Sequence, residues 1–195
     1  MEQLAHKRIK EIEAILKDLP RTEKMGDYVF AAGGAFTKWD KPINDIDLFF
    51  KSQGDFDAYD TFFKENLCPV IRETKNSRTF EYKGVKFDLV RSRFYSSLKE
   101  VIDSFDFVTC CAGISFSGSF IEGFESHPNW HHSNHTKALE VQKIQFPVHS
   151  LRRALKYTAQ GYYLCHGGML QIIDAIRKEK EENISSRPIT EYPVD

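Results

Sequence analysis

Between Tyr28 and Phe50 an apolar run, Tyr-Val-Phe-Ala-Ala, ends in Gly33-Gly34. After a short polar spacer the chain resumes as Asp45-Ile46-Asp47-Leu48-Phe49-Phe50. Both runs read as strands, and on a strand residues two apart share a face. Asp45 and Asp47 then stand roughly 6–7 Å apart at the backbone. Two like charges on one face of a hydrophobic strand repel each other and lose solvation, so the pair asks for a cation. A later run, Val85-Lys86-Phe87-Asp88-Leu89-Val90, again reads as a strand carrying one acid among apolar neighbours.

Each feature also has a plainer reading. Gly33-Gly34 can be an ordinary turn. Asp45 follows Pro42 and Asn44 and can be a turn residue, with Asp47 on a partly exposed edge. Asp88 can pair with Lys86 or Arg91.

Taken in order, the double glycine, the Asp-x-Asp strand and the third strand acid resemble the signature of the DNA polymerase β-like nucleotidyltransferase superfamily, over residues 28–90. The resemblance implies an α+β fold. Its palm, a mixed sheet with helices on one face, is followed by a helical C-terminal part. It also implies transfer of NMP from an NTP, ATP among them, to a hydroxyl with release of pyrophosphate. Two Mg²⁺ ions, or Mn²⁺, stabilise the attacking and leaving oxygens in such chemistry, and hard carboxylate oxygens suit them. Asp45, Asp47 and Asp88 are the expected metal ligands and catalytic residues. Gly33 and Gly34 let the backbone approach the nucleotide's phosphates. A helix starting near Ala35 would turn its free N–H groups to the anion, with Thr37 and Lys38 adding a hydroxyl and an ammonium.

Further along, Ser150-Leu151-Arg152-Arg153-Ala154-Leu155-Lys156-Tyr157 reads as a helix with a basic face. It is similar to the arginine-bearing helix after the palm in CCA-adding enzymes and bacterial poly(A) polymerases. Arg152, Arg153 and Lys156 are therefore nucleotide-binding candidates, against the plain reading of a solvated basic face. Phe36-Thr37-Lys38 departs from the Arg-Asp pair usual in that branch. Small stand-alone nucleotidyltransferase-like proteins of phages and large DNA viruses, and toxin-type members, are also similar.

The rest of the chain sets the frame. With 195 residues, 41% hydrophobic and 16 Phe, it can build a sizeable core. We expect a palm with an N-terminal helix over 1–100, a mainly helical part over 101–183 and a tail over 184–195. Apolar spacing predicts helices over 3–19, 55–67, 148–164 and 169–182, a short one from Ser97 and another over 136–143. Gly167-Gly168 should break the last pair. Leu151, Ala154, Leu155 and Tyr162 should face inward on one helix, and Leu170, Ile173 and Ile176 on the other. Residues 113–123 read as strands or a hairpin, and turns are expected at Asn76-Ser77 and Lys83-Gly84.

Four cysteines (Cys68, Cys110, Cys111, Cys165) show no metal-ligand spacing. The charged N-terminus does not read as a secretory leader, and no apolar run approaches the ~18 residues of a membrane span. Reduced thiols in a cytoplasmic protein without membrane contact are the expectation. The histidines from His127 to His135 read as an exposed polar loop. The net charge of −1 argues against a long nucleic-acid footprint, which needs Lys and Arg. Residues 64–93 nonetheless hold eight Lys/Arg against four Asp/Glu. Three functions fit: a nucleotidyltransferase acting on an RNA 3′ end, a protein or a small molecule; a toxin-like or defence-related enzyme of that chemistry; and an inactive module that kept the fold and binds RNA or a protein partner.

Overall fold

A computed structural model describes residues 2–21, 28–37 and 41–179. The chain forms two compact units. Of the described residues, one holds those up to Asp103 together with Cys110–His127, and the other holds Ser104–Thr109 and those from Pro128 to Glu179.

The first unit is a seven-stranded mixed sheet with helices. It begins with α1 (Glu2–Leu16), β1 (Val29–Ala32) and β2 (Asp45–Phe49), followed by α2 (Gln53–Glu65) and β3 (Val70–Glu73). Next come β4 (Ser77–Tyr82), β5 (Val85–Val90), the five-residue α3 (Leu98–Ile102), β6 (Ala112–Ser117) and β7 (Phe120–Ser126). The strand order is β3-β4-β5-β2-β1-β6-β7. The β2–β5 pair is parallel and the others are antiparallel.

Apolar periodicity decides which face of each element is buried. On α2, Phe56, Tyr59 and Phe63 turn inward. The Phe63 ring stacks on Phe80 of β4 at 5.1 Å and lies 5.3 Å from Phe87 of β5. Ser52 starts the helix by accepting the Asp55 N–H. Every residue of β1 is buried, and β6 is buried along most of its length. Gly113 marks the closest approach there. A Cβ on it would meet the Ala31 carbonyl and Ala32 Cβ at 2.7 Å and Leu98 Cδ1 at 2.9 Å. The expected turn at Lys83-Gly84 is present, with both residues at positive φ. Residues 113–123, open between strands and hairpin, belong to the β6–β7 hairpin at one side of the sheet. Ser97 caps α3 by accepting the Glu100 N–H, and the Glu100 carboxylate takes the Ser96 N–H.

The second unit packs Phe107, Leu139, Ala154, Tyr162 and Ile172 into a core. Its helices are α4 (Trp130–Thr136), α5 (Pro147–Ala159) and α6 (His166–Lys178). The expected polar loop at 127–135 is largely the helix α4. Tertiary hydrogen bonds override its turn-forming sequence: Trp130 Nε1 donates to the Thr109 carbonyl at 3.0 Å, and the Asn134 amide donates to the same carbonyl and to that of Trp130. The Tyr162 hydroxyl and Thr109 hydroxyl both donate to Asn134 Oδ1. The helix expected over 136–143 does not form, because Lys137 takes a left-handed conformation and Ala138 bridges to Tyr163. Gly167-Gly168 lies inside the first turn of α6 instead of breaking it. Cys165 Sγ accepts the Gly168 N–H, and a side chain at Gly168 would collide with Leu164. The inward faces are also shifted. Ala154 and Ile172 are buried, while Leu151, Leu155, Leu170 and Ile173 are exposed. All four cysteines are free thiols. Among the described residues no helix is long and apolar enough to cross a membrane.

Candidate functional site

The parallel register of β2 and β5 sets Asp47 directly beside Asp88 and Asp45 beside Lys86. Neighbours in register point to the same side of a sheet, so the three acids share a face. The register continues across all seven strands as one row: Arg72, Thr79, Asp88, Asp47, Ala32, Gly113 and Glu125. Leu98 of α3 covers this face over Ala32 and Gly113, and the acids lie beyond that cover. Asp45 is exposed, and Asp47 and Asp88 are half-buried.

The glycine turn closes on Asp45. Gly33 sits at φ 94°, ψ −133°, which only glycine adopts without strain. Its N–H donates to the Ala112 carbonyl at 3.0 Å, and its carbonyl takes the Phe36 N–H at 3.1 Å. A side chain added at Gly34 would stand 3.9 Å from Asp45 Oδ2. The bare backbone of Gly34 therefore faces that carboxylate. The expected helix at Ala35 is only a three-residue 3₁₀ turn, Gly34–Phe36. Thr37 is buried, and its hydroxyl donates to the Gly34 carbonyl at 2.8 Å. That hydrogen bond braces the turn. Lys38 lies outside the described residues.

Asp88 pairs with neither Lys86 nor Arg91. The Thr79 hydroxyl of β4 donates to its Oδ1 at 3.0 Å, and Arg72 Nη2 of β3 lies 3.5 Å from its Oδ2. Both oxygens are thus engaged from the side of the sheet opposite β2. In this arrangement no group of three His, Cys, Asp or Glu among the described residues is gathered closely enough to hold a metal ion. The backbone register and the hard carboxylate chemistry of the three acids are of the kind that suits a divalent cation.

Sequence spacing does not single out Thr79 or Arg72, and offers Lys86 only as a partner for Asp88. Lys86-x-Asp88 alternation places Lys86 on the acid face, exposed, between Asp45 and Glu81 in register. That signal was available in the spacing. Arg72 and Thr79 depend on strand pairing, which spacing alone does not give.

The other cations near the third acid are mostly spoken for. Lys64 and Arg78 bind Asp60, Arg78 and Arg91 bind Glu73, and Lys83 binds Asp18. In the second unit, Arg152, Arg153 and Lys156 lie exposed on α5. Arg153 forms an ion pair with the buried Asp106 at 2.8 Å.

The family model for Gabija anti-defense 2 family proteins matches residues 6–137. The "Gabija anti-defense 2" protein of Bacillus phage SPbetaL7 is 27% identical over 165 residues, covering 83% of this chain and 39% of the phage protein. A CCA-adding enzyme in complex with ATP superposes with a TM-score of 0.66 at 14% identity, over 97% of this chain and 48% of that one. The Thermotoga maritima CCA-adding enzyme complexed with tRNA gives 0.60 at 13% identity, over 91% and 45%. The chain therefore spans about two-fifths of the phage relative and just under half of these enzymes. These superpositions show a nucleotidyltransferase-like fold.

Proposed function

The chain belongs to the Gabija anti-defense 2 family, and from that premise we propose that it counters a defence system by nucleotidyl transfer. The reaction moves NMP from an NTP to a hydroxyl acceptor. The observation that carries this reading is the parallel β2–β5 register, which sets Asp47 beside Asp88 on one face, with Asp45 against the glycine turn. Neighbours of the same fold were captured with ATP and with tRNA, which supports an NTP as donor and keeps an RNA end among the acceptors.

Asp45 and Asp47 would hold the cation that accompanies the triphosphate, and Asp47 and Asp88 the one at the acceptor. Bound there, Mg²⁺ or Mn²⁺ would neutralise phosphate charge and lower the pKa of the attacking hydroxyl. The chain's own groups do the rest. Gly33 and Gly34 leave the backbone uncovered where phosphates approach. Lys86 supplies a positive charge beside Asp45. Asp88 takes the proton of the acceptor hydroxyl as its oxygen bonds to the α-phosphorus. The bond from that phosphorus to pyrophosphate breaks, and pyrophosphate leaves. Arg152 and Lys156 remain candidates for phosphate contact. Arg153 would have to part from Asp106 to join them.

The acceptor is an RNA 3′ end, a protein or a small molecule. Five of the eight cations in residues 64–93 are in ion pairs. This disfavours a long nucleic-acid track and suits a short end or a compact acceptor.

One observation favours a second reading, an inactive module that binds RNA or a protein partner: the Asp88 carboxylate is engaged by Thr79 and Arg72 instead of gathering with the other acids. Incubating the protein with Mg²⁺ and each α-labelled NTP, together with total RNA or protein extract, separates the two. Label in RNA, protein or a small molecule, lost in Asp45→Asn, supports transfer. No label with any NTP, together with no nucleotide binding, leaves the module.

A further inference from the structure

The Asp88 side chain is held away from the strand that carries the other two acids. Its backbone is registered beside Asp47 of β2, yet its carboxylate is held from the far side. Thr79 on β4 donates to one oxygen at 3.0 Å, and Arg72 on β3 lies 3.5 Å from the other. Thr79 is buried, so its hydroxyl is a fixed partner. Arg72 is different. Its side chain is 36% exposed, on a four-residue strand at the sheet's edge, and the contact is long. Such a pair is weak, which suits a contact meant to be broken.

We propose that Arg72 is a positioning residue, a latch that keeps the Asp88 carboxylate turned toward β3 and away from Asp45 and Asp47 until a stronger charge is present on the β2 side. The inference rests on the metal-dependent reading above. Asp45 and Asp47 are then the standing half of the site and Asp88 the half that arrives. Asp88 joins them at a cation only against competition from Arg72. The exchange is driven by charge: a divalent cation carries two positive charges against one on the half-exposed guanidinium.

Mn²⁺ titration of the nucleotide-free protein, followed by electron paramagnetic resonance of the free ion, tests this without any turnover. Arg72→Gln should bind Mn²⁺ about threefold more tightly than the unaltered chain, the size of a weak surface ion pair. Arg72→Lys should restore the original affinity, and Asp88→Asn combined with Arg72→Gln should erase the gain. Circular dichroism confirms that each variant is folded. Equal or weaker Mn²⁺ binding by Arg72→Gln overturns the latch while leaving the metal site standing. Failure of every folded variant and of the unaltered chain to bind Mn²⁺ overturns the metal-site reading, and the latch with it.

Discussion

Replacing Gly34 by alanine separates what the fold needs from what a ligand needs. Gly34 opens a 3₁₀ turn and is not among the glycines at positive φ. Among the described residues the added methyl would meet nothing nearer than Asp45 Oδ2 at 3.9 Å, an ordinary contact. The backbone accepts alanine, so the main effect on stability is the reduced freedom of the unfolded chain, worth about 0.4–1 kcal/mol. For a chain of this size that raises the melting temperature by roughly 1–4 °C. The same methyl projects into the space between the turn and the acid, where the phosphates are proposed to lie. Overpacking of that kind costs about 1–3 kcal/mol, so NTP affinity should fall by about tenfold or more. Gly33→Ala is the contrasting control. At φ 94°, ψ −133° it forces a side chain into a glycine-only region at about 1–3 kcal/mol, and the melting temperature should drop by roughly 2–10 °C. Thermal melts with and without Mg²⁺ and ATP, paired with the labelled transfer assay, read both effects. A Gly34→Ala protein that melts higher yet binds ATP and transfers as well as the unaltered chain would refute the phosphate seat.

Asp45→Asn should cut transfer by more than about 100-fold, as expected for loss of a group acting at the reaction centre, while stability stays within about 0.5 kcal/mol because the residue is exposed; unfolding would instead mark it as structural. Lys86→Gln should raise the KM for NTP about threefold with little change in kcat, the worth of one exposed charge, and an unchanged KM removes Lys86 from the site. Arg78→Gln leaves Asp60 without one of its two cations and should cost about 1–3 kcal/mol in a urea melt. The pH dependence has a definite sign. Burial raises the Asp60 pKa, but the hydrogen bonds from Lys64 and Arg78 outweigh it and hold the carboxyl below its ordinary value of 3.8. Its stabilisation is complete above that ordinary value and is lost as pH falls through the lower folded one. The unaltered chain should therefore lose stability on acidification more steeply than Arg78→Gln, and parallel curves would contradict the pairing.

The palm was legible because its signals are local. Alternation at Asp45-Ile46-Asp47 and Phe87-Asp88-Leu89, a double glycine after an apolar run and inward aromatics on α2 each report a period or a turn. The second unit was less so. Leu151 and Leu155 fit a helical stripe as well as Ala154 does, yet Ala154 is buried because Phe107, Leu139 and Tyr162 are already in place around it. Hydrophobicity alone cannot rank the sides of a helix when its partners come from distant sequence. The same limit hid α4, which hangs on hydrogen bonds to Thr109, 21 and 25 residues away, and it hid Arg72 and Thr79. The acids themselves were read from the sequence, but the side to which Asp88 turns was not, since rotamers follow neighbours.

The β2–β5 pair joins its strands in the same direction, with α2, β3 and β4 strung between them. Such an alignment cannot zip from a hairpin; it has to wait for the intervening crossover to close. Asp47 and Asp88 therefore meet late in the chain's maturation. A nascent or nicked polypeptide that lacks β5 holds Asp45 and Asp47 without Asp88. The row that sets Asp88 beside Asp47 is complete only once that crossover has closed.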